Sequence, residues 1–175
     1  MKTRLAFLFI CTVLVFSLVA GTSNVDARRS IPNSQLIPTN CKSVNDLPDP
    51  KCTPGAVDPR VTQANIKDTI CKSGYTKTVR PPVSYTEPLK KQLMKSYGIK
   101  GSLKDYEFDH LIPLEIGGNP TDVKNLCPES HSSSFIKDGL ENYLHKKVCS
   151  GNMKLVDAQQ VIATNWYDYW MRVKN

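Results

Sequence analysis

Apolar residues recur along this chain with two different periods, and the switch between them marks out the elements. The helical period comes first. Ile66 and Ile70 stand four apart, Thr62 precedes them as an N-cap with Val61 and Ile66 as a staple, and Gly74 follows as a stop. A first helix over that stretch is the expectation. Thr76 to Val79 reads as a short strand, and Arg80-Pro81-Pro82 must run extended because proline restricts the residue before it. A second helix after Thr86 places Leu89, Leu93, Met94 and Tyr97 at helical spacing, and Gly98 ends it. Its other face carries Lys90, Lys91 and Lys95, either a solvated face or a rim for phosphate.

The period then drops to two. On a strand, Tyr106, Phe108, His110 and Ile112 point one way and Glu107, Asp109 and Leu111 the other. Gly117-Gly118-Asn119-Pro120 forces a loop, and Val123 to Leu126 returns antiparallel. The helical period resumes from about Ser133 to Cys149, with Ile136, Leu140, Tyr143, Leu144 and Val148 toward a core. Lys137, Asp138, Glu141 and His145 fall on the other side of that third helix, and Ser150-Gly151 ends it. A fourth helix, from about Leu155 to Tyr169, buries Leu155, Ala158, Ile162 and Trp166. The pattern therefore predicts an α+β fold: a β-hairpin followed by a helix, packed with three further helices.

Upstream of this the pattern changes character. Lys2 and Arg4 precede an apolar run from Leu5 to Ala20, with small-residue cleavage sites at Ala20-Gly21 or after Val25-Asp26-Ala27. Residues 1–27 read as a secretory signal peptide, which implies a secreted, extracellular protein; a membrane anchor would need a cytoplasmic-type flank that is not there. Residues 28–60 hold Pro32, Pro38, Pro48, Pro50, Pro54 and Pro59 and read as an extended leader, leaving 61–175 as one domain. Export bears on the cysteines. Cys11 leaves with the signal, and Cys41, Cys52, Cys71, Cys127 and Cys149 enter an oxidising compartment. Cys71 and Cys149, each near a predicted helix end, would tie the first helix to the third, while Cys41 and Cys52 would pin the leader. Other pairings stay open. Cys127 reads as structural, and without a Cys-x-x-Cys pair a zinc–thiolate site is disfavoured.

Composition adds the partner class. A chain of 175 residues fits one domain, taken here as a monomer, and a formal charge of +7 favours an anionic partner such as nucleic acid. Removing residues 1–27 takes away two cations and one anion, so the basic excess belongs to the folded part. No later segment is long and apolar enough to span a bilayer.

Candidate chemistry gathers on the hairpin. Phosphodiester hydrolysis needs an activated water, a stabilised pentavalent phosphate and help for the leaving oxygen. A neutral imidazole such as His110 can take the proton of water, and a carboxylate such as Asp109 can hold a hard divalent cation. The stretch DHLIPLEIGG at 109–118, followed by NL at 125–126 and then a polar-faced helix, resembles the HNH or ββα-metal nucleases. A wider likeness, through LPDPKCTPGA at 47–56, VTQANIKDTIC at 61–71 and ENYLHKKVCSG at 141–151, is to small secreted microbial proteins with the same core. The resemblance implies a disulfide-braced ββα-metal core and an endonuclease with His110 as general base, Asp109 as metal ligand and Asn125 holding the loop. It implies one divalent cation, Mg²⁺ first with Mn²⁺ or Ca²⁺ as alternatives, and sequence-independent binding of nucleic acid, DNA ahead of RNA.

One family position is not met. The third motif residue, usually a metal-binding His or Asn early in the helix, falls here near Ser134 and Lys137. Lys137, Glu141 and His145 lie four apart and share a face, so Glu141 or His145 could complete the metal site while Lys137 contacts phosphate. The same spacing would equally serve a helix stabilised by ion pairs. His131 reads as an exposed loop residue. The rival to an enzyme is a non-catalytic binding or effector protein on a degenerate HNH fold.

Overall fold

The computed structural model describes residues 35–44 and 47–174; the expected signal peptide lies outside them. Among the described residues four helices, Tyr75–Val79 (α1), Val83–Ser96 (α2), His131–Cys149 (α3) and Leu155–Val173 (α4), surround a single antiparallel hairpin of Tyr106–His110 (β1) and Leu126–Ser130 (β2). The class is α+β, as the two periods predict. None of the described helices is long and apolar enough to cross a membrane.

The main core lies where α3 and α4 pack against the hairpin loop. It gathers Leu140, Leu144 and Val148 of α3, Leu155, Ala158, Ile162 and Trp166 of α4, and Leu111, Ile112 and Ile116 from the loop after β1. Leu89 and Leu93 of α2 form a second cluster with Val123 and Leu126. α2 ends in a Schellman turn: Gly98, at φ 66°, donates to the Lys95 carbonyl and Ile99 to that of Met94. Gln63 caps α4 by accepting from the Leu155 N–H at 2.7 Å.

Four local expectations are corrected. The stretch from Thr62 to Gly74 is not an α-helix. Gln63–Asn65 makes one 3₁₀ turn and further turns follow, although Ile66 and Ile70 still reach the core. Asn65 accounts for much of this, because its side chain accepts from the Thr62 N–H and donates to the Arg60 carbonyl. Thr76 to Val79 is helical rather than extended, since it lies within α1, which starts after Gly74. α2 starts at Val83, before Thr86, and carries Pro88 inside it. The returning strand starts at Leu126, because Val123–Asn125 forms a 3₁₀ turn capped by the Asp122 carboxylate. The resulting register pairs Asp109 with Cys127 and His110 with Leu126. Pro128 is tolerated in β2 because each strand of a two-stranded sheet has an open edge.

Two bridges brace the fold, Cys41–Cys52 and Cys71–Cys149, and Cys127 is a buried free thiol. The second bridge ties the turns before α1 to the C-terminal end of α3. Disulfides of this kind are consistent with an extracellular setting. The proline-rich stretch before Val61 contacts the hairpin loop: Gly55 donates to the Lys124 carbonyl, Asp58 to that of Gly117, and Asn119 to that of Ala56.

Candidate functional site

The site is assembled from the β1 end outward. Beyond His110 the chain turns through Leu114–Ile116 into Gly117 and Gly118, and Asn125 holds that loop closed. Its Oδ1 accepts from the Ile112 N–H at 2.9 Å, and its Nδ2 donates to the carbonyls of Ile112 at 2.9 Å and Asn119 at 3.0 Å. Asn125 is fully buried, and its two bonds to Ile112 form away from water. Gly118 is required by the same closure: a Cβ there would lie 1.7 Å from the Ile112 carbonyl oxygen and 2.8 Å from Asn125 Nδ2. The closed loop delivers the Pro120 carbonyl to His110 Nε2, at 3.0 Å.

That contact defines the imidazole. A carbonyl can only accept, so Nε2 carries the proton and Nδ1 is left with its lone pair. Burial pushes the His110 pKa below its ordinary value, against the opposing pull of the Pro120 carbonyl, and keeps the ring neutral. His110 lines a polar cleft of about 90 Å³ with Asp109, Glu115 and Glu141, and with Thr76 and Arg80 from the α1 region.

Behind the cleft sits Lys137. The sequence pattern put it on the outer side of α3; instead it is among the most deeply buried side chains in the molecule. Its Nζ donates to Asp109 Oδ2 at 2.7 Å, Glu141 Oε1 at 2.5 Å and the His110 carbonyl at 3.0 Å. The three ammonium protons are thereby used, and Lys137 does not reach phosphate. Its side chain is 2% exposed against 20% for Asp109 and 15% for Glu141, so the carboxylates face the cleft and the ammonium backs them. Burial pulls the Lys137 pKa down, but Asp109, Glu141 and Glu129 outweigh it and hold it well above the ordinary lysine value. For Asp109, burial would raise the pKa, and Lys137 together with the neighbouring Glu129 and His110 more than reverses this, so the net shift is downward.

The remaining carboxyl groups are held high. Burial and the neighbouring Asp109 push Glu141 up to about 7 despite Lys137. Glu115 is raised mainly by burial, and its Oε1 is buried with no hydrogen-bond partner. Asp109 and Glu141 each bring an oxygen to Lys137, and as a pair of carboxylates on the cleft they would hold a hard divalent cation. Glu115 lines the same cleft, but among the described residues it does not join them in a group of three with ligand atoms within 4.8 Å of one another.

Glu129, on β2, lies on the far side of Asp109. Burial and the Asp109 charge raise its pKa to about 9, so it is protonated at neutral pH. Its Oε1 accepts from Ser133 Oγ at 2.7 Å, and its Oε2 has no other donor. The folded state thus holds a proton that the unfolded chain releases near the ordinary value of 4.5, and this contribution to stability declines as pH rises from there toward 9. Glu129→Gln keeps the shape without the charge. Its urea midpoint is expected to match the parent at pH 5 and exceed it at pH 9; a midpoint below the parent at pH 9 would show that Glu129 folds ionised.

His145 is not brought to the cleft lining. Its Nε2 bonds the Ile70 carbonyl at 2.9 Å, beside the Cys71–Cys149 bridge. Cys71, His145 and Cys149 place ligand atoms within 4.8 Å of one another, a group able to hold a metal ion of undetermined type. With the two sulfurs joined, only the imidazole can act as a ligand, so that capacity belongs to the reduced chain. His131 is exposed, in the first turn of α3, where it bonds the Lys104 carbonyl and Glu107.

Sequence reasoning missed Arg80 and Glu115 in the cleft, and Glu129 behind Asp109. Glu115 stood within DHLIPLEIGG without a role, and Glu129 was hidden because the return strand was placed too early. No family model, curated protein or solved structure matches this chain.

Proposed function

We propose that this chain is a secreted, metal-dependent endonuclease with an HNH-like ββα-metal core, hydrolysing phosphodiester bonds of nucleic acid, DNA ahead of RNA. The observation that carries the reading is His110. One ring nitrogen is tied to Pro120, burial keeps the ring neutral, and the ring lines a cleft shared with carboxylates and a guanidinium. Nδ1 is then free to take the proton of an attacking water. Arg80 makes no ion pair among the described residues and is available for the non-bridging phosphate oxygens. Asn125 fixes the loop that aims His110, and Lys137 fixes Asp109 and Glu141. A divalent cation held by those two carboxylates, Mg²⁺ or alternatively Mn²⁺ or Ca²⁺, would neutralise charge on the phosphate and the departing oxygen.

The purified protein is expected to nick supercoiled plasmid DNA in Mg²⁺, Mn²⁺ or Ca²⁺ and to stop in EDTA. Intact plasmid in all three metals would sink the assignment. A second reading has one observation in its favour: Lys137 already satisfies Asp109 and Glu141 as a closed ion cluster. Such a cluster suits a non-catalytic binding or effector protein, which would hold an anionic polymer in EDTA and cleave nothing in any metal.

A further inference from the structure

We infer that the groove between the end of α2 and β1 is a second contact surface for the substrate, built for an extended single strand of nucleic acid. This rests on the nuclease reading for its biological sense, but not for its test. The groove, of about 410 Å³, has an apolar floor of Met94, Ile99 and Leu103 and a rim of Lys91, Lys95 and Lys100. No carboxylate lines it. Among the described residues the three ammonium groups make no ion pair and no hydrogen bond, whereas their neighbour Lys90 is spent on the Tyr106 carbonyl at 2.7 Å. Three unpaired cations around an apolar strip fit a ligand that alternates negative charge with flat apolar surface. An unpaired nucleotide strand is such a ligand, with phosphates toward the rim and unstacked bases on the floor. A duplex keeps its bases stacked inside and would leave the floor unused.

Position argues for a polymer as well. The groove closes just before Tyr106, and the cleft opens at His110, the other end of β1. The five residues of β1 set Tyr106 and His110 roughly 14 Å apart, at about 3.4 Å per step, a spacing that a strand of several nucleotides spans and a single phosphodiester does not.

The test is equilibrium binding of the full mature chain to a fluorescent 20-nucleotide single strand in EDTA, over a range of salt. Lys91, Lys95 and Lys100 are changed together to glutamine, and thermal unfolding of the variant serves as the fold control. For a single strand each neutralised phosphate contributes about 0.7 to the slope of log affinity against log salt, so the variant is expected to lose about 2 from that slope. An unchanged slope and affinity would overturn the proposal. So would a loss confined to duplex DNA, or a loss confined to anionic phosphatidylserine vesicles, which would make the groove a membrane contact. Because binding is read without metal, lysine-dependent capture by a protein that never nicks plasmid would leave the groove standing and remove only the nuclease reading.

Discussion

Lys137→Met is expected to destabilise the protein by about 3–5 kcal/mol, the cost of leaving buried charges without their counterion. The methionine keeps the unbranched stem in the core beside Leu140 and Leu144 but removes every proton that Asp109 Oδ2, Glu141 Oε1 and the His110 carbonyl accept. Two carboxylates and a carbonyl are then stranded at a point where Glu129 and Glu115 already crowd the field. The loss has a signature beyond its size. Without the ammonium, the Asp109 and Glu141 carboxyl groups move up and can protonate, so the penalty should shrink as pH falls below 7 and grow above it. Urea unfolding with the bridges intact, at pH 5 and pH 8, measures both. A change below about 1 kcal/mol at pH 8 would mean that Lys137 behaves as an ordinary surface lysine. The double variant Lys137→Met/Glu141→Gln should recover part of the loss, since one of the stranded charges is gone.

That lysine also shows how far the sequence could be read. Positions 133, 137, 140, 144 and 148 of α3 form one helical stripe, and all five residues are buried. The spacing therefore included Lys137; its chemical type excluded it, because a buried ammonium becomes acceptable only once carboxylates from another element are known to meet it. Glu141 is on the same helix, but Asp109 and the His110 carbonyl come from β1, and only the tertiary packing brings them there. Elements with long, uniform periods were legible on their own: α3, α4, β1 and the buried face of α2. The Thr62–Gly74 stretch was not, since its polar side chains bond the local backbone as readily as a helix would. Asp109, His110 and Asn125 were visible as a motif because a loop closed by one buried amide needs Gly118 and Asn125 at fixed places. Arg80 enters the cleft from an element 29 residues upstream of Asp109, and nothing in its local pattern announces that.

His110→Ala is expected to lower the plasmid-nicking rate by about 10²–10⁴, the usual contribution of a positioned general base. The expectation depends on the tautomer more than on the residue type. Pro120 fixes the proton on Nε2, so the lone pair on Nδ1 stays available whenever the ring is neutral. Because burial lowers the His110 pKa, the neutral form persists into pH below about 6.5, and the parent rate should fall only on acidification past that ordinary value. The sign is fixed: protonation removes the base, so a His110-dependent rate declines toward acid and never toward alkali. The alanine variant has no such group, and its residual rate should lose that acid limb, while free imidazole added to the variant should restore part of the rate. Stability separates this from mere misfolding, since removing a ring whose hydrogen-bond partner is the Pro120 carbonyl leaves Asn125 and its three loop bonds in place. A variant that unfolds like the parent and nicks plasmid within about threefold of it would take the base role away from His110. The cleft would then need another proton acceptor, and Glu141, held up near 7 and lining the same cleft, would be the group to test.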